Sequence, residues 1–147
     1  SINIVPIIQD AIDLLRTTLA KNEVSCDLKV NTENIVLRTD KIQLTQVLFN
    51  LIVNAIYFSP PKSTIKIRVT DKKDKVIMVI SDEGTGIPKD KANSVFDPFF
   101  TTKPVGEGSG LGLSVVHGII KSHKGSIAHA PNKPKGTVFT IEFPKLK

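Results

Sequence analysis

From Ile42 to Ser59 the chain carries no charged side chain, yet the stretch is not uniformly apolar. Gln43, Asn50, Asn54 and Tyr57 recur at spacings of seven, four and three, while Leu44, Leu48, Leu51, Ile52 and Ala55 fall on the opposite side of a helix. The spacing predicts a helix over about Lys41 to Phe58, stopped by Ser59-Pro60-Pro61, because a residue before proline avoids helical geometry. The polar stripe reads in two ways. A solvated helix face normally carries Lys and Glu, which are missing here. Two asparagines one turn apart also suit ligand binding: an amide oxygen is a hard, neutral donor fit for Mg²⁺, which keeps several waters and takes its other ligands from phosphates.

The elements around this helix predict a mixed fold. Ile4, Ile8, Ala11, Leu15 and Leu19 predict a first helix from about Val5 to Lys21, followed by short strands near Ser25–Val30 and Ile35–Arg38. Thr64–Thr70 alternates apolar and polar residues, Lys75–Ser81 is rich in β-branched residues, and a polar turn joins them as a hairpin. A third helix is expected over Leu111–Ser122, and strands over Ser126–Ala130 and Thr137–Phe143, separated by a turn-rich Pro131–Gly136. Hairpins without regular βαβ alternation argue for α/β (α+β) architecture: a two-layer sandwich whose mixed, mostly antiparallel sheet of about five to six strands is covered on one face by three helices.

The 147 residues fit a single domain, 1–147. The chain opens on Ser1 and its only methionine is Met78, so it reads as a fragment of a longer protein. The longest apolar run, near Val76–Ile80, is far short of the ~20 residues of a membrane span, and no signal peptide is visible. A single Cys26 excludes an internal disulfide, reads as a buried thiol and suits a reducing, cytoplasmic setting. The net charge of +6 permits an anionic partner, but its lysines are scattered and aromatics are few, so a nucleic-acid platform is not expected.

Two glycine-rich segments complete the chemistry. Ser81-Asp82-Glu83-Gly84-Thr85-Gly86-Ile87-Pro88 begins where a strand ends. A buried aspartate there can accept the exocyclic amine of adenine but would oppose the carbonyl of guanine, a mismatch of about 1–3 kcal/mol, or roughly tenfold to a hundredfold. Gly106-Glu107-Gly108-Ser109-Gly110-Leu111-Gly112-Leu113-Ser114 runs from an aperiodic loop into a helix, whose first N–H groups lack partners and can cradle phosphate. Neither G-x-x-x-x-G-K-[ST] nor G-x-G-x-x-G is present, which disfavours a P-loop, a Rossmann fold or a protein-kinase loop. Lys103, just upstream, is placed to reach a terminal phosphate or to stand in solvent.

In order and spacing these segments resemble the boxes of the histidine-kinase branch of the Bergerat-fold ATPases, the superfamily that also holds gyrase and MutL. The N box is similar to Gln46–Ala55, the first glycine box to Asp82–Ile87, the F box to Val95–Lys103 and the second glycine box to Gly108–Leu113. The resemblance implies an ATP-dependent protein-histidine kinase domain with ATP and Mg²⁺ as cofactors. It implies that Asn54 binds the metal with Asn50 beside it, that Asp82 reads adenine with Gly84, Gly86 and Ile87 around it, and that Phe58 flanks the base near Tyr57. Phe100, Thr101, Thr102 and Lys103 would belong to a lid that runs on to Gly108, and Ser109, Gly110, Leu111, Gly112 and Leu113 would hold the phosphates.

The implied partners are ATP, the protein's own dimerisation and phosphoacceptor domain, and the receiver domain of a response regulator, with no nucleic acid. The full protein would be a homodimer, with or without a membrane anchor, and the fragment a monomer. Two departures stand out: Tyr57 occupies a position where many members carry Lys, and Thr101-Thr102 stand where some carry Arg. The alternatives are an anti-sigma-type serine kinase and a non-catalytic nucleotide-sensing module. None of the three histidines, His117, His123 and His129, lies in the sequence context of the family's phosphoacceptor helix.

Overall fold

The computed structural model describes residues 1–87, 112–133 and 135–145. The F box, together with Phe100, Thr101, Thr102, Lys103, Gly108, Ser109, Gly110 and Leu111, lies outside the described residues.

Helix α3 spans Lys41–Phe58, as its periodicity predicts. Asp40 caps it, with Oδ1 accepting from the Ile42 N–H at 3.0 Å. At its other end the Ser59 N–H bonds to the Ile56 carbonyl, whose usual donor Pro60 lacks, and the Ser59 hydroxyl donates to the Ala55 carbonyl at 2.7 Å in its place. Leu44, Val47, Leu48, Leu51, Ile52, Ala55 and Ile56 are all buried.

Five strands form the main sheet in the order β2-β4-β5-β7-β6, namely Ser25–Val30, Thr64–Asp71, Lys75–Ser81, Thr137–Pro144 and Ser126–Pro131. Only the β2–β4 pair is parallel, so the sheet is mixed and mostly antiparallel as expected. Alternate residues Ile65, Ile67 and Val69 of β4, Val76, Met78 and Ile80 of β5, and Phe139, Ile141 and Phe143 of β7 are buried. They form one core with the apolar faces of α1 (Val5–Leu14), α3 and α4 (Gly112–Ser122). The helices therefore cover one sheet face, which makes two layers. Among the described residues no helix is long and apolar enough to cross a membrane.

Two local expectations need correction. The single helix expected over Val5–Lys21 is two, α1 and α2 (Arg16–Lys21), divided at Leu15. Leu15 has φ −104° and ψ 7°, and its N–H bonds to the Ile12 carbonyl, a tightened turn. Leu15 and Leu19 stay buried across the break, so the apolar period persists and conceals it. The strand near Ile35–Arg38 shrinks to β3, Val36–Leu37, which pairs antiparallel with a strand β1 at Ile2–Asn3 that has too few residues to show a period.

Cys26 lies in β2, and its thiol is pushed up to about 11 by burial and by Asp27, with Arg16 partly opposing. At pH 8 only about one thiol in a thousand is then ionised, so labelling by a disulfide reagent should run roughly a hundredfold slower in the native protein than in urea. Equal native and unfolded rates would show an exposed thiol instead.

Candidate nucleotide-binding site

The site is assembled on the central strand. Asp82 follows the last residue of β5 and is only 5% exposed. Its Oδ1 accepts from the backbone N–H of Gly84 at 2.9 Å and of Thr137 at 3.2 Å. Burial raises the Asp82 pKa above the ordinary carboxylate range, and these two N–H bonds pull it partly back. Both backbone bonds fall on one oxygen. Among the described residues no bond to Oδ2 is seen.

Gly84 explains why a glycine is required there. A Cβ on it would stand 2.5 Å from the carbonyl oxygen of Phe58, so the loop after β5 can close on the end of α3 only without a side chain. Glu83 is turned away: its Oε1 accepts from the Thr64 N–H at 3.1 Å and ties the loop to β4. Gly86 has φ +79°, and Ile87 is partly buried against the core.

Across from this loop, Gln43, Asn50 and Asn54 on α3 are half-buried, not splayed into solvent, which argues against a plain surface stripe. The Asn50 amide donates to the Gly112 carbonyl at a long 3.5 Å, bringing the polar face of α3 against the start of α4. Gly112 is exposed and Leu113 packs partly on the core. Tyr57 is 40% exposed and meets Phe58 edge to face, with centroids 4.9 Å apart. The structure thus brings together Asn50, Gly112 and Leu113 on one side, and Phe58, Asp82 and Gly84 on the other, along one helix.

Three participants escape sequence reasoning. Asn132, Gly136 and Thr137, in the turn between β6 and β7 and the start of β7, fold back onto Asp82. The Asn132 amide donates to the Asp82 carbonyl at 2.8 Å, the Asp82 N–H bonds to the Thr137 carbonyl at 3.0 Å, and Thr137 is buried. Gly136 has φ +113°, and an added Cβ would overlap the Asp82 carbonyl oxygen. The linear signal was only a turn: nothing in it points to a carboxylate fifty or more residues earlier. A cavity of about 500 Å³ opens between this turn and Thr85–Ile87. Neither Asn50, Asn54 nor Asp82 lines it, so the nucleotide reading rests on the helix, the aspartate and the α4 terminus, not on that cavity.

A buried carboxylate at the end of a central strand, bordered by a polar amide helix and a helix N-terminus, defines an ATPase-type α/β sandwich. Residues 39–147 match the family described as histidine kinase-, DNA gyrase B- and HSP90-like ATPases. Sporulation kinase A of Bacillus subtilis is 37% identical over 144 residues, 98% of this chain and 23% of that protein. Sensor histidine kinase ZraS of Salmonella typhimurium is 36% identical over 147 residues, 99% of this chain and 31% of that protein. The solved catalytic domain of histidine kinase ThkA superposes with a TM-score of 0.88 at 32% identity, covering 98% of this chain and 95% of that one. The chain belongs to this ATPase family, on its sensor-histidine-kinase branch, as the ATP-binding catalytic domain. It spans about a quarter to a third of the length of these two relatives.

Proposed function

We propose that the chain binds Mg²⁺-ATP between α3, the loop after β5 and the start of α4, and passes the γ-phosphoryl group to a histidine on a dimerisation helix of the parent protein. A response-regulator aspartate would receive it next. ThkA, 31% identical over 98% of this chain, has been solved in complex with the response regulator TrrA. The observation that carries the reading is Asp82, a buried carboxylate with one oxygen held by two backbone N–H groups; its other oxygen would accept adenine's amine.

Asn54 would supply an amide oxygen to the metal, with Asn50 beside it. Among the described residues no cluster of three His, Cys, Asp or Glu side chains stands together, which fits a cation held chiefly by the nucleotide's own phosphates. When bound, the ion would neutralise charge developing on the transferred group. The chain's own part is positioning: amides at one end, Asp82 at the other, and α4 N–H groups at the phosphates. The lid residues Phe100, Thr101, Thr102 and Lys103, and Gly108 to Leu111 at the phosphates, belong to the same proposal.

Asn50 stands where gyrase-like relatives carry a glutamate base, and an amide cannot take a proton from water. Hydrolysis should therefore be slow, keeping the phosphoryl group for a protein acceptor. Tyr57, exposed where many members carry Lys, gives a pure nucleotide sensor some footing as a second reading. We read the chain as one domain of a homodimeric kinase acting in the cytoplasm, monomeric by itself.

Incubation with γ-labelled ATP separates these readings. Alone, the chain should stay unlabelled; with the parent's separately made dimerisation domain, label should appear on that domain's histidine. ATP binding without transfer would favour the sensor, and label on this chain's own histidines would overturn the scheme.

A further inference from the structure

His123 directly follows α4 and joins three elements that the nucleotide site does not explain. Its Nδ1 lies 2.8 Å from the Ile119 carbonyl, which can only accept, so Nδ1 carries a proton. In the neutral ring Nε2 is then the acceptor, and the Thr39 hydroxyl, 2.6 Å away and 84 residues earlier, donates to it. The ring also stands edge to face on Phe143 of β7, with centroids 5.7 Å apart. Thr39 immediately precedes Asp40, the cap of α3.

α3 and α4 therefore run antiparallel with a polar tie at each end of α4: Thr39, just before α3, to His123, and Asn50, midway along α3, to Gly112 at 3.5 Å. Along each helix the two ties are separated by the same number of residues, about 16 Å of rise. Between them the buried residues are aliphatic: Leu44, Val47 and Leu48 on α3, and Val116 and Ile120 on α4. Apolar contact sets the spacing of two helices but is non-directional, so a small axial slide changes it little. A 2.6 Å hydrogen bond does not survive such a slide.

We infer that Thr39 and His123 form a positioning pair that holds α4 in axial register on α3, keeping the first turn of α4 opposite Asn50 and Asn54. The inference rests on the nucleotide-site reading for its consequence, but not for its geometry. Thr39→Val keeps the side-chain shape and removes the donor; Thr39→Ser retains the donor. Calorimetric titration with Mg²⁺-ATP, well below the melting transition, should show about two- to tenfold weaker binding for T39V, with T39S within about twofold of wild type. His123→Ala should weaken binding similarly, and the T39V/H123A double variant no further, because each removes the same tie.

The Asn50 side-chain amide resonance should also shift in T39V and return in T39S, a readout that needs no nucleotide. Wild-type ATP affinity in folded T39V, additive losses in the double variant, or an unmoved Asn50 resonance would each overturn the pair. Should H123A not fold, T39V against T39S still decides. A wild-type protein that does not bind ATP, with the Asn50 resonance moving in T39V, would sink the site reading and leave the register pair standing.

Discussion

Alanine at Gly136 should lower stability by about 3–5 kcal/mol, well beyond an ordinary surface change. Two independent costs combine. At φ +113° the backbone lies where L side chains rarely go, and the new Cβ would overlap the Asp82 carbonyl oxygen and sit 2.8 Å from its carbonyl carbon. The opposing groups are backbone, which cannot rotate away as a flexible side chain can. The turn must move, and the Thr137 N–H bond to Oδ1 and the Asn132 bond to the Asp82 carbonyl move with it. Thermal denaturation should show a melting temperature lower by roughly 10 °C or more, with ATP affinity lost even where the variant remains folded. Gly118→Ala is the control: it lies inside α4 with nothing within 4 Å of an added Cβ, so it should be neutral or stabilising by up to about 1 kcal/mol. Equal effects at the two glycines would refute the close approach of turn and aspartate.

The second large effect separates binding from folding. Asp82→Asn should weaken ATP affinity about tenfold to a hundredfold while leaving the fold as stable or more so at pH 7. Asparagine's Oδ1 can still accept from Gly84 and Thr137, so the loop keeps its anchors. What changes is the other position, where an acceptor becomes an N–H donor facing adenine's amine, itself a donor. The stability direction follows from the raised pKa. A carboxyl whose folded pKa lies above its unfolded value favours the fold below the unfolded pKa, and loses that contribution as pH rises through the folded value. As pH rises through that folded value the buried carboxylate becomes a net cost, which an amide removes. Calorimetric ATP titration and thermal melts from pH 4 to 8 test both halves. A variant with wild-type affinity would remove Asp82 from adenine recognition, and one destabilised most at high pH would reverse the assigned sign.

The two predictions differ in how visible their residues were. Asp82 could be singled out from a linear pattern because its neighbours carry the signal: a β-branched strand ends, and glycines follow at once. α3 was legible to the residue at both ends, since an uncharged amphipathic period and a double proline are local chemistry. The hairpin of β4 and β5 was legible for the same reason. Gly136 was just one glycine in a polar turn, and the break at Leu15 hid inside an unbroken apolar period.

By itself the sequence determined which segments become helix or strand, the order of the nucleotide boxes and the identity of the polar residues on α3, because propensity, periodicity and capping act over a few residues. Only the tertiary structure decided that Asn132, Gly136 and Thr137 close over Asp82, that Asn50 reaches Gly112, and that Thr39 meets His123. Those partners lie 50 to 84 residues apart. Such contacts exist only once the apolar faces of the helices and strands have packed, since no local energy distinguishes the right partner from the many others within a distant segment's reach.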